Sequence, residues 1–120
     1  MKGFVKRGEI YYADFGSTVG SEQGGVRPLL VIQNDIGNRY SPTTVVVPIT
    51  SKNKKKTYQP THVPISCAGL SANSMALLEQ VRTLDKSRLK SRVGELDSET
   101  MKRIEDALLI SVGIKNMERK

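Results

Sequence analysis

The 120-residue sequence contains one cysteine, one histidine and no tryptophan. The single Cys67 excludes an internal disulfide, and the single His62 excludes a nuclease that uses two histidines as acid and base. A zinc site would have to depend on carboxylates, and none of the usual ligand spacings is present. Phosphate-binding loops of the Gly-x-x-x-x-Gly-Lys type, dinucleotide fingerprints and nucleophile elbows are also missing. We therefore expect no metal and no cofactor.

Long hydrophobic runs are missing as well. The chain starts MKGFVKRGE and contains no apolar segment long enough for a signal peptide or a membrane span. We expect a soluble, cytoplasmic protein that makes no use of a membrane. A length of 120 residues is typical of one domain, so we expect a single domain over residues 1–120.

Positive charge is in excess, and it is unevenly distributed. The net charge is +7, and residues 1–92 carry fourteen Lys and Arg against six Asp and Glu, whereas residues 93–106 sum to −3. A basic surface favours polyanionic partners through electrostatic steering and counterion release. It discriminates only weakly between a nucleic acid, an acidic protein and simple solubility.

Hydrophobic periodicity predicts a mainly β protein with a C-terminal α-helix, closed into a small barrel. The terminal helix follows Asp97 or Ser98 as its cap, and its apolar stripe is Met101, Ile104, Leu108 and Val112. A short helical turn is expected after Asp85. The predicted strands are 9–15, 29–33, 43–49, 62–66, 76–82 and 92–96, with the remaining segments, including 34–42, as connections.

Two proline residues mark strand ends that carry polar side chains. Pro28 disfavours the α region for Arg27, so Arg27 is expected to be extended at the mouth of the strand that starts at Leu29. Pro48 lacks an amide donor and predicts an edge or a bulge near the end of its strand. Thr50 should then lie at a strand end, as Arg27 does. The alternative is a plain hairpin loop with a solvated Arg27.

A set of polar residues at strand ends could hold a phosphodiester without metal, beside a lysine-rich loop over residues 52–56. For RNA, the neighbouring 2′-hydroxyl can act as the nucleophile, so the protein need only move protons and stabilise the phosphorane. A solvated loop remains the alternative for the lysines. The set consists of Glu22, Arg27, Thr50, Glu79, Gln80 and Arg82.

Three separated blocks resemble the signature blocks of the MazF/PemK toxins: GSEQGGVRP over residues 20–28, VPIT over residues 47–50 and LEQVRT over residues 78–83. The resemblance runs in order from Arg7 to the final helix. It implies a toxin of a type II toxin–antitoxin system, a ribosome- and metal-independent endoribonuclease that cuts single-stranded mRNA to 2′,3′-cyclic phosphate and 5′-hydroxyl ends. It further implies a homodimer of SH3-like barrels, inhibited by a cognate MazE-like antitoxin.

The same resemblance implies roles for individual residues. Arg27 and Thr50 match the catalytic arginine and threonine of the family. Glu22 matches a glutamate that matters in some relatives, which makes it a third catalytic candidate, as a proton acceptor. Other relatives depend on an arginine and an aspartate in the block around residues 77–79. Here those positions include Leu77 and Glu79, so the version with Arg27 and Thr50 is the one that this sequence permits.

Contacts to RNA are expected from residues around these blocks. Bases of single-stranded RNA are recognised by stacking and by hydrogen bonds to their edges. Gln80, Ser74 and Ser21 are the candidates for reading bases, while Arg7 and the lysine run are candidates for binding phosphates. The complete predicted RNA-binding set is Arg7, Ser21, Gln23, Lys54, Lys56, Ser74, Glu79, Gln80 and Arg82.

Other functions remain open at the level of sequence. A module of SH3-like type could bind RNA or protein without catalysis. A gyrase poison of the same fold is a second alternative, although that toxin family depends on a tryptophan near its C-terminus and this chain has no tryptophan. A structural RNA-binding role is the third.

Overall fold

The computed structural model describes residues 4–20, 22–51 and 59–115. None of the helices within these ranges is long and apolar enough to cross a membrane. The elements, in chain order, are β1 (Glu9–Asp14), β2 (Val26–Val31), α1 (Asp35–Tyr40), β3 (Thr43–Thr50), β4 (His62–Pro64), β5 (Met75–Leu77), β6 (Arg82–Asp85), a 3₁₀ turn (Lys86–Arg88), β7 (Leu89–Glu95) and α2 (Ser98–Ser111).

The strands pair antiparallel in one sheet with the order β4-β5-β3-β2-β1-β7, and β6 pairs with β3 beside β5. The fold class is therefore mainly β with a C-terminal helix, as predicted. The expected closure into a barrel is wrong in detail, because β4 and β7 form the two ends of this path and do not pair with one another in the part of the chain described.

Alternating side chains of the strands build a core on each face of the sheet. Ile10, Leu30 and Val47 face α2, whose Met101 and Ile104 pack against them. The intervening residues form the second core on the other face, because successive strand residues point in opposite directions. That second core contains Val5, Tyr11, Ala13, Phe15, Leu29, Val31, Val46, Leu84 and Leu89.

Helix α2 confirms the predicted amphipathic segment. Its N-cap is Asp97, whose carboxylate accepts a hydrogen bond from the amide of Thr100 at 2.8 Å. Met101 and Ile104 are buried, but Val112 lies beyond the helix end and is 57 % exposed. The expectation that Val112 belongs to the buried stripe is wrong, since the helix ends at Ser111 before the stripe completes another turn.

The region predicted as one strand over residues 76–82 is two strands, β5 and β6, and the reason lies in β3. Val46 pairs with Arg82 and Ile49 pairs with Ala76, so residues 77–81 face only residues 47 and 48 on this edge. Pro48 has no amide hydrogen to continue the ladder. The irregular pairing predicted from Pro48 is therefore present, and it interrupts the neighbouring strand.

Residues 34–42, predicted as a connection, contain helix α1. Asn34 caps the helix, since its side-chain oxygen accepts from the amide of Gly37 at 2.7 Å. Asn38 is buried and accepts a hydrogen bond from the Thr44 hydroxyl at 2.7 Å. Gly37 and Pro42 are typical of turns, and they obscured a helix that is stabilised by this buried amide.

Other strand boundaries also differ from the predictions. β4 ends at Pro64 rather than at residue 66, and β7 begins at Leu89 rather than at residue 92. β2 begins at Val26, because pairing with β1 extends to Asp14 opposite Val26. Arg27 therefore lies inside a paired strand instead of at its mouth.

Candidate active site

Arg27 is held in place by both its strand and its side chain. It is the second residue of β2, opposite Ala13 of β1, and it is half-buried. Its Nε donates to the carbonyl oxygen of Gly24 at 3.0 Å. Within the described ranges, neither terminal nitrogen of Arg27 has a hydrogen bond or an ion pair with another residue. The guanidinium is thus oriented by the chain without being neutralised.

Arg27 lines a cavity of about 240 Å³, which we call the Arg27 cavity. Ser74, predicted from the sequence to contact RNA, lies in the same cavity. Its hydroxyl donates to the carbonyl of Ser71 at 2.8 Å, and the residue is buried. The lining residues are Tyr12, Val26, Arg27, Pro28, Ile49, Ser51, Leu70, Ser71 and Ser74.

Thr50 reaches this region from β3. It is the last residue of the strand, as predicted, and it is 9 % exposed. The pairing of β2 with β3 ends at Leu29 opposite Pro48; Arg27 lies two residues before Leu29, and Thr50 lies two residues after Pro48. The neighbours of Thr50 in sequence, Ile49 and Ser51, line the Arg27 cavity. Arg27 and Thr50 therefore belong to neighbouring strands near the Arg27 cavity, although they are 23 positions apart in the chain.

A second and larger cavity, which we call the Gln80 cavity, has a volume of about 490 Å³. It lies between the loop over residues 16–25 and the segment that joins β5 to β6. Four residues predicted from the sequence meet here. The lining residues are Ser17, Thr18, Glu22, Glu79, Gln80, Val81 and Arg82.

Glu79 is fixed at the wall of the Gln80 cavity by two residues near β4. Its carboxylate accepts from the Thr61 hydroxyl at 2.8 Å and lies 3.0 Å from Nε2 of His62. Partial burial alone would raise the pKa of the Glu79 carboxyl, but the hydrogen bonds with His62 and Thr61 outweigh it and lower the pKa below the usual value. Glu79 is therefore an anion at neutral pH.

Gln80 contacts the loop over residues 16–25, and Arg82 contacts Phe15, the residue before that loop. The side-chain oxygen of Gln80 accepts from the amide of Gln23 at 2.9 Å. The guanidinium carbon of Arg82 lies 4.9 Å from the centre of the Phe15 ring, at the distance of a cation–π contact. Both contacts join the chain that follows β1 to the region where β6 begins.

Some predicted site residues lie away from the Arg27 cavity. Glu22 lines the Gln80 cavity instead, and its carboxylate accepts from the amide of Val19 at 2.9 Å within its own loop. Arg7 lines neither cavity, and its Nη2 lies 2.9 Å from Oε2 of Glu105 on α2. The predictions for Ser21, Lys54 and Lys56 concern positions outside the described residues.

Sequence reasoning missed Tyr12, Ser51 and Ser71, which line the Arg27 cavity. Tyr12 had a usable signal, because it lies between the buried Tyr11 and Ala13 in an alternating strand and is itself half-buried. Ser51 and Ser71 had none, since serine in a loop is common. In the described part of the chain, no three His, Cys, Asp or Glu residues are grouped as metal ligands.

Comparison with known proteins gives three consistent results. Residues 6–112 match the family model for the PemK-like, MazF-like toxin of type II toxin–antitoxin systems. The Endoribonuclease EndoA of Bacillus subtilis (strain 168) is 53% identical over 112 residues, which cover 92% of this chain and 96% of that protein. Solved structures of an endoribonuclease and of a MazF protein also superimpose well on this chain.

Two of these structures are informative. An endoribonuclease from Mycobacterial species, solved in complex with its cognate antitoxin, is 26% identical with a TM-score of 0.77, over 93% of this chain and 98% of that one. MazF from Deinococcus radiodurans is 24% identical with a TM-score of 0.79, over 94% and 100% of the two chains, which shows the fold alone. The fold of this chain is thus similar to that of these two structures.

Proposed function

The chain belongs to the family of PemK-like, MazF-like toxins of type II toxin–antitoxin systems, and we propose that it is an endoribonuclease that cleaves single-stranded mRNA at a short sequence. Cleavage would require neither ribosome nor metal and would leave 2′,3′-cyclic phosphate and 5′-hydroxyl ends. A protein that cuts mRNA acts in the cytoplasm, where it would stop translation and growth.

The observation that carries this proposal is the oriented guanidinium of Arg27 in a cavity next to the end of β3. A guanidinium stays protonated at neutral pH and suits the oxygens of a phosphate. The Nε bond to Gly24 fixes its direction before substrate arrives. A preorganised cation of this kind stabilises the charge that develops on a phosphorane better than a mobile one does.

In the proposed reaction, the 2′-oxygen of the RNA attacks the adjacent phosphorus and the bond from phosphorus to the 5′-oxygen breaks. The 2′-hydroxyl loses its proton and the departing 5′-oxygen gains one, so no oxygen from water enters the product. Arg27 neutralises the equatorial oxygens. The Thr50 hydroxyl, both a donor and an acceptor, orients the attacking group or the phosphate.

The Gln80 cavity is proposed to hold the RNA next to the scissile bond. It offers an amide at Gln80, a cation at Arg82 and carboxylates at Glu22 and Glu79. Carboxylates accept hydrogen bonds from base amino groups, and amides pair with base edges. Glu22 is therefore assigned to RNA binding in this cavity rather than to proton transfer beside Arg27.

Two protein partners are part of the proposal. The mycobacterial relative was solved with its cognate antitoxin, and MazE–MazF complexes from Deinococcus radiodurans are also similar to this chain. We propose a MazE-like antitoxin that inhibits this protein, and a homodimer as the active form. The net charge of +7 fits an acidic antitoxin segment as well as it fits RNA.

The test is to incubate the purified protein with a long single-stranded RNA in EDTA and to sequence all 5′-hydroxyl ends. Discrete ends that share a short motif are expected, and they would report activity, chemistry and specificity together. Binding without cleavage would contradict the proposal and favour a non-catalytic RNA-binding module. Cleavage that stops in EDTA would contradict the metal-independent mechanism.

A further inference from the structure

Hydrogen bonds join the described residues of the loop over residues 16–25 to one another, both at its base and near its tip. Phe15 donates its amide to the carbonyl of Gly25 at 2.9 Å, and Gly25 donates to Gly16 at 3.1 Å, which closes the base. The Thr18 hydroxyl donates to the carbonyl of Glu22 at 3.1 Å. The base of the loop is therefore closed beside Gly24.

The carbonyl that orients Arg27 belongs to this loop. Gly24 provides the oxygen, and a Cβ at Gly24 would lie 2.7 Å from the Thr18 hydroxyl, so the backbone here is packed against its own loop. Any movement of the loop at this position would move the acceptor of the Arg27 Nε bond. The direction of the guanidinium depends on where the loop lies.

Gln80 holds the loop from outside. Its side-chain oxygen binds the amide of Gln23, the residue that precedes Gly24. The backbone of Gln80 is itself fixed, since its amide donates to the carbonyl of Leu77 at 3.1 Å and the neighbouring Glu79 is bound by Thr61. The side-chain amide of Gln80 thus links the segment between β5 and β6 to the loop over residues 16–25.

We propose that Gln80 is a positioning residue, whose side-chain oxygen keeps the loop over residues 16–25 in the place where Gly24 orients Arg27. This rests on the proposed function, because it makes cleavage depend on the same Arg27. It also means that RNA bound in the Gln80 cavity would lie against the same side chain that positions the loop next to Arg27. A base that displaces or strengthens the contact between Gln80 and Gln23 would alter the rate of cleavage as well as affinity.

Two substitutions separate this role from contact with RNA. Gln80→Glu keeps an oxygen acceptor for the amide of Gln23 but removes the amino group. Gln80→Leu removes both. Gln59→Leu is the matched control, since Gln59 is exposed and lines neither cavity. If Gln80→Leu does not fold, Gln80→Asn, with an amide that is one methylene shorter, replaces it.

The first measurement is hydrogen exchange at the amide of Gln23 in the free protein. We expect exchange about tenfold faster in Gln80→Leu and nearly unchanged exchange in Gln80→Glu and Gln59→Leu, because only the first loses the hydrogen bond. The second is steady-state cleavage over a range of RNA concentrations, which gives kcat and KM. We expect kcat to fall about tenfold or more in Gln80→Leu and less than about threefold in Gln80→Glu, because only Gln80→Leu releases the loop, whereas KM rises in both variants because both lose the amino group.

The inference would be overturned if the amide of Gln23 exchanged at the same rate in Gln80→Leu as in the wild type. Equal losses of kcat in Gln80→Glu and Gln80→Leu would also overturn it. The proposed function fails in a different way, if the wild-type protein cuts no RNA. The exchange measurement would then still decide whether Gln80 holds the loop.

Discussion

Removal of the Arg27 guanidinium should abolish most cleavage and leave the fold intact. Arg27→Ala loses the hydrogen bond from Nε to Gly24 in a half-buried position, which is worth about 1 kcal/mol of stability. A domain with about 5–15 kcal/mol of stability tolerates that loss. The same substitution removes an oriented charge from the phosphorane, and loss of one such preorganised donor costs about 10²–10³ in kcat, or about 3–4 kcal/mol.

The two magnitudes differ enough to be separated by experiment. Single-turnover cleavage in EDTA measures the chemical step, and thermal denaturation of the same preparation measures the fold. Arg27→Lys should recover part of the rate, because the charge returns without the planar fork of the guanidinium. Arg103→Ala is the matched control, since it removes one positive charge from an exposed position on α2.

A folded Arg27→Ala protein that cleaves within about threefold of the wild-type rate would refute the assignment of Arg27. An equal loss of activity in Arg103→Ala would show that net charge, rather than the oriented guanidinium, governs the rate.

Two further predictions concern stability. Ile104→Ala should lower the free energy of unfolding by about 2–5 kcal/mol, because Ile104 is 1 % exposed. Ile110→Ala on the same helix should lower it by less than about 1 kcal/mol, because Ile110 is 52 % exposed. Chemical denaturation measures both, and equal effects would contradict the packing of α2 on the sheet. The pKa of Glu79 is lowered in the folded state, so its contribution to stability is present above its unfolded pKa and is lost as pH falls through the folded value. Denaturation between about pH 5 and pH 3 should therefore show a weaker loss of stability in Glu79→Gln than in the wild type, and parallel curves would contradict the hydrogen bonds with His62 and Thr61.

Elements stabilised by residues close together in the sequence were predictable, whereas features that depend on residues distant in the sequence were not. α2 was predictable, because Asp97 caps it and Met101 and Ile104 recur at helical spacing. α1 was not, because its stability depends on the buried Asn38, whose partner Thr44 belongs to the next strand. The division of residues 76–82 into β5 and β6 was likewise hidden, since it depends on the pairing opposite Pro48.

The candidate site likewise has features that the sequence predicted and features that it did not. The roles expected for Arg27 and Thr50 came from the resemblance of short blocks, and the pairing of β2 with β3 makes their strands neighbours. The resemblance did not indicate that Glu22 and Arg27 line different cavities. Nor did it indicate that Arg7 is paired with Glu105 of α2.

The sequence alone determined what depends on neighbours along the chain: alternating strands, one amphipathic helix, an extended arginine before Pro28 and an excess of positive charge. Tertiary structure decided which strand ends meet, because register is set by packing on both faces of the sheet. It alone joins Gln80 to Gln23, 57 positions away, and so connects the wall of one cavity to the loop that orients Arg27 in the other.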